Sequence, residues 1–408
     1  MSKIQNIIAR EIINARGYPT IEAKIILDNQ KEAYASFASF EQLFPYQNKE
    51  LKDNDEKRFK GAGVQTAVYY INNLIAPKLK GVDISKQYEI DNWLISADST
   101  KDKRKLGVNT IMTISLLVAK AAALNNNQPL YLYFNNYFNK VNKTDLKLEF
   151  FPSPIFSLLK GGRHGQINLD FQEFQIVPSS SFTYSKAYEL GVDLYHQMRH
   201  LYKFQFNFNL DVLSAIKESI EKKELRFGHD VFLSIHFGAN NYFSANHYYL
   251  KDKDSMSYVE YYQFLIEQII KKYTPLVVID CFSNNDLDNW KKAYDNLNKD
   301  TYLSIDELIF SNKNQLEKYI KDKLFTTVVI RPNQIGTITE IVLMIDYLKK
   351  NQLSFIIASE IGETNENYLA DLSVGLDAEF VLFGPPVHGE NVAKYNRLLE
   401  IEKELIKK

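Results

Sequence analysis

Six chemically active side chains stand at or near the ends of short apolar runs. Residues 276–279 lead to Asp280, 302–305 to Asp306 and 325–330 to Arg331. Residues 354–359 lead to Glu360 and 231–235 to His236, and the alternating stretch 169–174 carries Glu173. Carboxylates and an imidazole can hold a cation or move a proton, and a guanidinium can clamp an anion. Brought together, Glu173, Asp280 and Asp306 would repel one another unless a cation lay between them.

Convergence needs a scaffold. In the second half, strand-like runs at 276–279, 301–305, 325–330, 354–358 and 379–383 alternate with helix-like segments at 289–297, 314–323, 337–350, 365–372 and 390–407. Short β-branched strands alternating with helices predict a parallel sheet covered by helices. These five units fit part of an eight-stranded βα barrel, whose active sites gather at the C-terminal strand ends. Strand ends are polar in any barrel, because the chain emerges there into loops. In the first half, Gly17-Tyr18-Pro19 reads as a turn before a half-buried strand at 20–27, and 109–124 reads as a buried helix. Residues 130–137 are aromatic without a regular period, and polar residues 139–145 read as a linker. The expected domains are therefore 1–138 and 139–408.

Composition narrows the classes. Of 408 residues, 45% are hydrophobic and 24% charged, which excludes a disordered or collagen-like chain. The best apolar run, 111–123, is broken by Thr113, Ser115 and Lys120, so no membrane span is expected. The first residues lack the apolar core of a signal peptide, and cytoplasmic residence is expected. A single cysteine, Cys281, excludes an internal disulfide framework and a cysteine-rich zinc site. A net charge of -1 gives no basic excess, and no nucleic-acid partner is expected. Gly61-Ala62-Gly63 lacks the third glycine of a nucleotide loop, and His196 and His200 lack the adjacent glutamate of a zinc protease helix.

Several ordered motifs carry a resemblance. They are the opening Arg10-Glu11-Ile12-Ile13-Asn14-Ala15-Arg16-Gly17-Tyr18-Pro19, then Gln128-Pro129-Leu130-Tyr131, then Gly161-Gly162-Arg163-His164 with Asp170-Phe171-Gln172-Glu173-Phe174. Asn333-Gln334-Ile335-Gly336-Thr337, Gly362-Glu363-Thr364 and Val392-Ala393-Lys394-Tyr395-Asn396-Arg397 follow. Together they resemble the enolase family over nearly the whole chain. The resemblance implies an α/β fold: an N-terminal α+β domain, then an atypical (β/α)8 barrel of TIM type whose first strands are partly antiparallel. It also implies a homodimer. The family dehydrates 2-phosphoglycerate to phosphoenolpyruvate with two Mg²⁺ ions, a lysine base, an assisting glutamate, an arginine and serine on the phosphate, and a closing serine loop.

The resemblance maps the metal ligands to His236, Asp280 and Asp306. Asp280 stands where the family has glutamate, and His236 where it has aspartate. Mg²⁺ prefers oxygen ligands, so no cofactor is expected for certain; a retained site would take a divalent metal, Mg²⁺ or a transition metal such as Mn²⁺. The base maps to Arg331, which stays protonated and cannot accept the α-proton. The second active-site lysine maps to Leu382. The phosphate-binding run maps to Ser359-Glu360-Ile361. Glu360 against a phosphate at ~4 Å would cost about 4 kcal/mol at an effective dielectric of ~20. The serine loop maps to Phe40-Glu41-Gln42-Leu43-Phe44, without glycine or serine, and the segment of the assisting glutamate is replaced around 204–209. Catalytic remnants or substitutes are His164, Glu173 and Arg331.

The expectation is a catalytically degenerate homologue retained for binding. Its expected protein partners are a true enolase, another glycolytic enzyme, or host plasminogen through Lys407-Lys408 after signal-less surface display. The alternatives are a divergent enolase with His164 or Glu173 as base, and a repurposed metal-dependent lyase whose Arg331 holds a 2-phosphoglycerate-like carboxylate.

Overall fold

The computed structural model describes residues 2–41, 46–162, 165–166, 168–201, 206–297 and 301–406. The N-terminal part begins with an antiparallel sheet, β1 (Ile4–Ile13), β2 (Pro19–Leu27) and β3 (Glu32–Ser36), in the order β1-β2-β3. The turn between β1 and β2 forms because Asn14 Oδ1 accepts from the amides of Arg16 and Tyr18, and Gly17 supplies a φ of +77°. Alternation along β2 buries Ile21, Ala23, Ile25 and Leu27. They face the helix Val108–Asn125, which is long and apolar enough to cross a membrane but is almost entirely buried as a core helix. Arg10 pairs with Glu22 of the neighbouring strand at 2.6 Å.

One local expectation is corrected. The aromatic stretch after Pro129 is the regular helix Leu130–Asn142, which also absorbs the first residues of the expected linker. Its aromatics fall on one side: Tyr131, Phe134 and Phe138 are buried, and Tyr133 stacks on Tyr137. Tertiary burial outweighs the modest helix propensity of Tyr, Phe and Asn.

The barrel comprises β4 (Ser153–Pro154), β5 (Phe156–Lys160), β6 (Glu173–Pro178), β7 (Val231–His236), β10 (Val277–Ile279), β11 (Tyr302–Ile305), β12 (Thr327–Ile330), β13 (Ser354–Ala358) and β14 (Phe380–Leu382). A two-stranded ribbon, β8 (Phe243–Ser244) and β9 (His247–Tyr248), lies between β7 and β10. The sheet order is β4-β14-β13-β12-β11-β10-β7-β6-β5. Segments β4 and β5 are one run interrupted at Ile155, bonded to β14 on one side and β6 on the other, so the sheet closes into a ring. Pairings β5–β6 and β6–β7 are antiparallel and the remaining barrel pairings are parallel. Val177, Ile279, Val329, Ile356 and Phe380 fill the interior with their neighbours. Alternate strand residues pack outward against the helices. His196 and His200 lie exposed on the helix Tyr184–Leu201.

The two parts are joined by a buried polar contact. Asp91 Oδ2, on the helix Gln87–Asp98, accepts from the amide (3.0 Å) and hydroxyl (2.6 Å) of Thr339 on a barrel helix. Burial pushes the Asp91 carboxyl up to about 6 from 3.8, against the pull of those hydrogen bonds. A carboxyl raised on folding favours the folded state below its unfolded pKa, and that contribution is lost as pH rises through the folded pKa. Between pH 4 and 7 the loss is roughly 3 kcal/mol, at 1.36 kcal/mol per unit. Asp91→Asn should flatten this part of the pH–stability curve. Urea unfolding of both proteins across that range checks it, and parallel curves would refute it.

Candidate functional site

The barrel mouth collects the expected residues because strand direction dictates it. Strand β6 runs opposite to β7, so its first residue, Glu173, pairs with the last residue of β7, His236. His236 in turn lies beside Ile279, and Asp280 follows at the end of β10. Asp306, Arg331 and Glu360 follow β11, β12 and β13 around the ring. The expected strand containing Glu173 is displaced: residues 169–172 lie outside it, and the strand runs from Glu173 onward. His164 lies outside the described residues, as do residues 42–44 of the expected lid.

Asp280 adopts a left-handed φ of +48°. This turn places its carboxylate beneath the next strand end, where Oδ1 accepts from the Asp306 amide (2.9 Å) and Oδ2 from the Glu307 amide (3.0 Å). His236 Nε2 is 3.4 Å from Asp280 Oδ2 but makes no well-aligned hydrogen bond. Burial would lower the His236 pKa; Asp280, Asp306 and Glu173 outweigh it and hold the imidazole above its ordinary value.

Arg331 lines the mouth. Its Nε reaches both Asp306 oxygens at 3.1 Å, its Nη2 reaches Oδ2 at 2.6 Å, and its Nη1 donates to the Ser359 carbonyl. Nη1 also lies 4.0 Å from Glu360 Oε2. This fork-shaped pairing is what a guanidinium offers and a lysine does not. Burial would lower its pKa, but Asp306 and Glu360 hold the cation firmly charged.

Glu173 is held as an anion. Burial would raise its pKa, yet Lys160 at 3.4 Å, His236, Ser157 and Gln175 together bring it to about 2. Gln175 Nε2 donates to it at 3.0 Å and is itself braced by Ser234. Glu307 is pushed up to about 7 by burial and by Asp280, with Asn240 donating to it at 3.0 Å. The site thus holds two charged pairs, Arg331–Asp306 and Lys160–Glu173, beside the His236–Asp280 contact.

Residues 4–134 match the family model "Enolase, N-terminal domain", and residues 149–408 match "Enolase, C-terminal TIM barrel domain". Two curated relatives named Enolase, from Ehrlichia canis (strain Jake) and Ehrlichia chaffeensis (strain ATCC CRL-10679 / Arkansas), are each 32% identical over 419 residues. Each alignment covers 98% of this chain and 96% of the relative. The chain belongs to the enolase family.

An enolase-family barrel implies a divalent cation among His236, Asp280 and Asp306. One ligand atom from each does lie within 4.8 Å of the others. His236 Nε2, 3.4 Å from Asp280 Oδ2 and without a hydrogen bond, favours a metal. The carboxylates do not. Both Asp280 oxygens are taken by backbone amides and both Asp306 oxygens by Arg331. Mg²⁺ needs about six oxygen ligands at ~2.1 Å, and a guanidinium at 2.6 Å from Asp306 sets like charge against it. These residues do not fit Mg²⁺.

Three participants were not singled out from the sequence. Lys160 ends β5 before Gly161-Gly162 and follows the same strand-end rule as the others. Glu307 directly follows Asp306. Gln334 lies in the motif after Arg331, where nothing in sequence marks its side chain as facing the mouth.

Proposed function

We propose that this chain is an enolase-family protein that does not dehydrate 2-phosphoglycerate and is kept for binding. One observation carries the reading: Arg331, at the position of the family's lysine base, is only 16% exposed and is locked onto Asp306. A group that never deprotonates cannot take an α-proton, and loss of a positioned base typically costs ~10²–10⁴-fold. Glu360 at the expected phosphate position supplies no cation in place of the family's arginine.

Phosphoenolpyruvate formation from 2-phosphoglycerate, read by ultraviolet absorbance with Mg²⁺ or Mn²⁺, tests it. The expected rate equals that of Glu173→Gln. Turnover that disappears in that variant would establish a divergent enolase with another base, His164 or Glu173. A repurposed metal-dependent lyase is the second reading, favoured by His236 Nε2, which makes no hydrogen bond. It requires stoichiometric Mn²⁺ binding that His236→Ala abolishes.

Cytoplasmic residence and a homodimer belong to the main reading. Ile8 and Tyr34, exposed in one cross-strand row with Lys24, support pairing through the N-terminal sheet. A true enolase subunit, another glycolytic enzyme or plasminogen are the protein partners of this reading; Lys407 and Lys408, proposed for the last, lie outside the described residues.

A further inference from the structure

The mouth encloses a cavity of about 430 Å³. Glu41, Glu173, Asp306, Glu307, Glu360 and Glu390 line it, against Lys160, His236, Arg331 and His388. Glu41 pairs with Arg16 at 3.0 Å, Glu173 with Lys160 and Asp306 with Arg331. Acidic side chains outnumber basic ones along the wall, and Glu360 keeps only a 4.0 Å contact to the already paired Arg331.

Glu360 has a side chain only 5% exposed. Its Oε1 is buried without a hydrogen-bond partner. The Gln334 amide, also buried, lies within hydrogen-bonding reach of the Glu360 carboxyl and helps hold it charged, while its own Oε1 lacks a donor. Two buried oxygens on one cavity wall, each without a well-aligned donor, are costly. Burial pushes Glu360 up to about 8, although Arg331 pulls the other way. A proton on Glu360 is one way to supply a donor. A ligand cation is the other, and it would also draw Glu360 into its charged form.

We propose that this cavity binds a small molecule through an ammonium or guanidinium group that donates hydrogen bonds to Glu360 Oε1 and Gln334 Oε1. The inference rests on the reading of the chain as a binding protein and names its ligand class. A volume of this size suits a compact metabolite, and the acids that attract a cation repel the phosphate of 2-phosphoglycerate.

Titration calorimetry on the full chain at low salt tests this with agmatine, putrescine, tetramethylammonium and 2-phosphoglycerate. Agmatine or putrescine should bind at one site per chain. Tetramethylammonium, charged but without N–H donors, should not saturate, and neither should 2-phosphoglycerate. Glu360→Gln should weaken amine binding at least about tenfold, as loss of a charge-assisted hydrogen bond does. Gln334→Leu should weaken it several-fold. Failure of both amines to bind, equal binding of tetramethylammonium, or undiminished affinity in the variants would overturn the inference. Should Glu360→Gln not fold, the comparison of probes on the natural chain and Gln334→Leu decide. Phosphoenolpyruvate formation on the same preparation separates the two readings. Turnover overturns the non-dehydratase reading and, with it, this inference; lack of amine binding without turnover overturns the inference alone.

Discussion

Arg331→Met should lower the unfolding free energy by about 3–5 kcal/mol, the usual cost of leaving one partner of a buried ion pair alone. Asp306 is only 4% exposed and receives three contacts from the guanidinium. Methionine fills much of the same length, so the loss is one of charge and hydrogen bonding more than of volume. The variant also frees both Asp306 oxygens next to His236. An imidazole with free carboxylate oxygens suits a transition metal better than Mg²⁺. Mn²⁺ should therefore restore part of the stability of the variant, by roughly 2.7 kcal/mol at a hundred times its dissociation constant, and leave the natural chain unchanged. Denaturant unfolding in chelator and in MnCl₂ measures both effects. Equal stabilisation of the two proteins would mean that Arg331 does not stand in for a metal. A loss below about 1 kcal/mol would mean that the pair contributes no more than a surface ion pair.

The sequence made the barrel half legible because its strands are short β-branched runs that each stop at a polar residue. The positions of Asp280, Asp306, Arg331 and Glu360 at one mouth followed from that pattern alone. Their pairing did not. Arg331 and Asp306 are 25 residues apart, and only the parallel register of β11 and β12 brings the guanidinium over the carboxylate. The left-handed turn at Asp280, which commits both its oxygens to backbone amides, has no signal in an aspartate codable from composition or period. The helix Leu130–Asn142 was obscured for a different reason. Seven of its residues are Tyr, Phe or Leu, so no polar face interrupts the pattern at its start, and its N-cap, Pro129, makes no side-chain cap. Residues Ile71–Ile75 and Leu265–Ile270 widen into π-helical turns that periodicity at 3.6 residues does not anticipate.

Lys394→Met should cost about 3–5 kcal/mol, and Glu363→Gln in the same chain should recover part of that loss. Lys394 and Glu363 are the most deeply buried ion pair among the described residues, at 0% and 2% side-chain exposure and 2.9 Å apart. Lys394 Nζ also donates to the Glu390 carbonyl at 2.8 Å, and Glu363 Oε1 accepts from the Glu360 amide at 2.8 Å. With methionine in place, Glu363 keeps its charge and loses its cation. Removing that charge as well leaves a neutral amide that can still accept from the Glu360 backbone. The double variant should thus be less destabilised than the sum of the single variants by at least about 1 kcal/mol. The pair matters beyond stability because it anchors the segment that carries Glu360. Gly362 pairs with the Ser39 backbone, and the Glu363 carbonyl accepts from the Ala15 amide at 2.8 Å, so the same segment ties the barrel to the N-terminal sheet. Lys394→Met should therefore weaken amine binding at Glu360 together with stability, although Lys394 itself does not line the cavity. Urea unfolding of the four proteins and calorimetry with agmatine read the two effects. Strictly additive losses would show that the ion pair is not the unit of stabilisation. An unchanged agmatine affinity in a destabilised Lys394→Met would show that Glu360 is positioned without it.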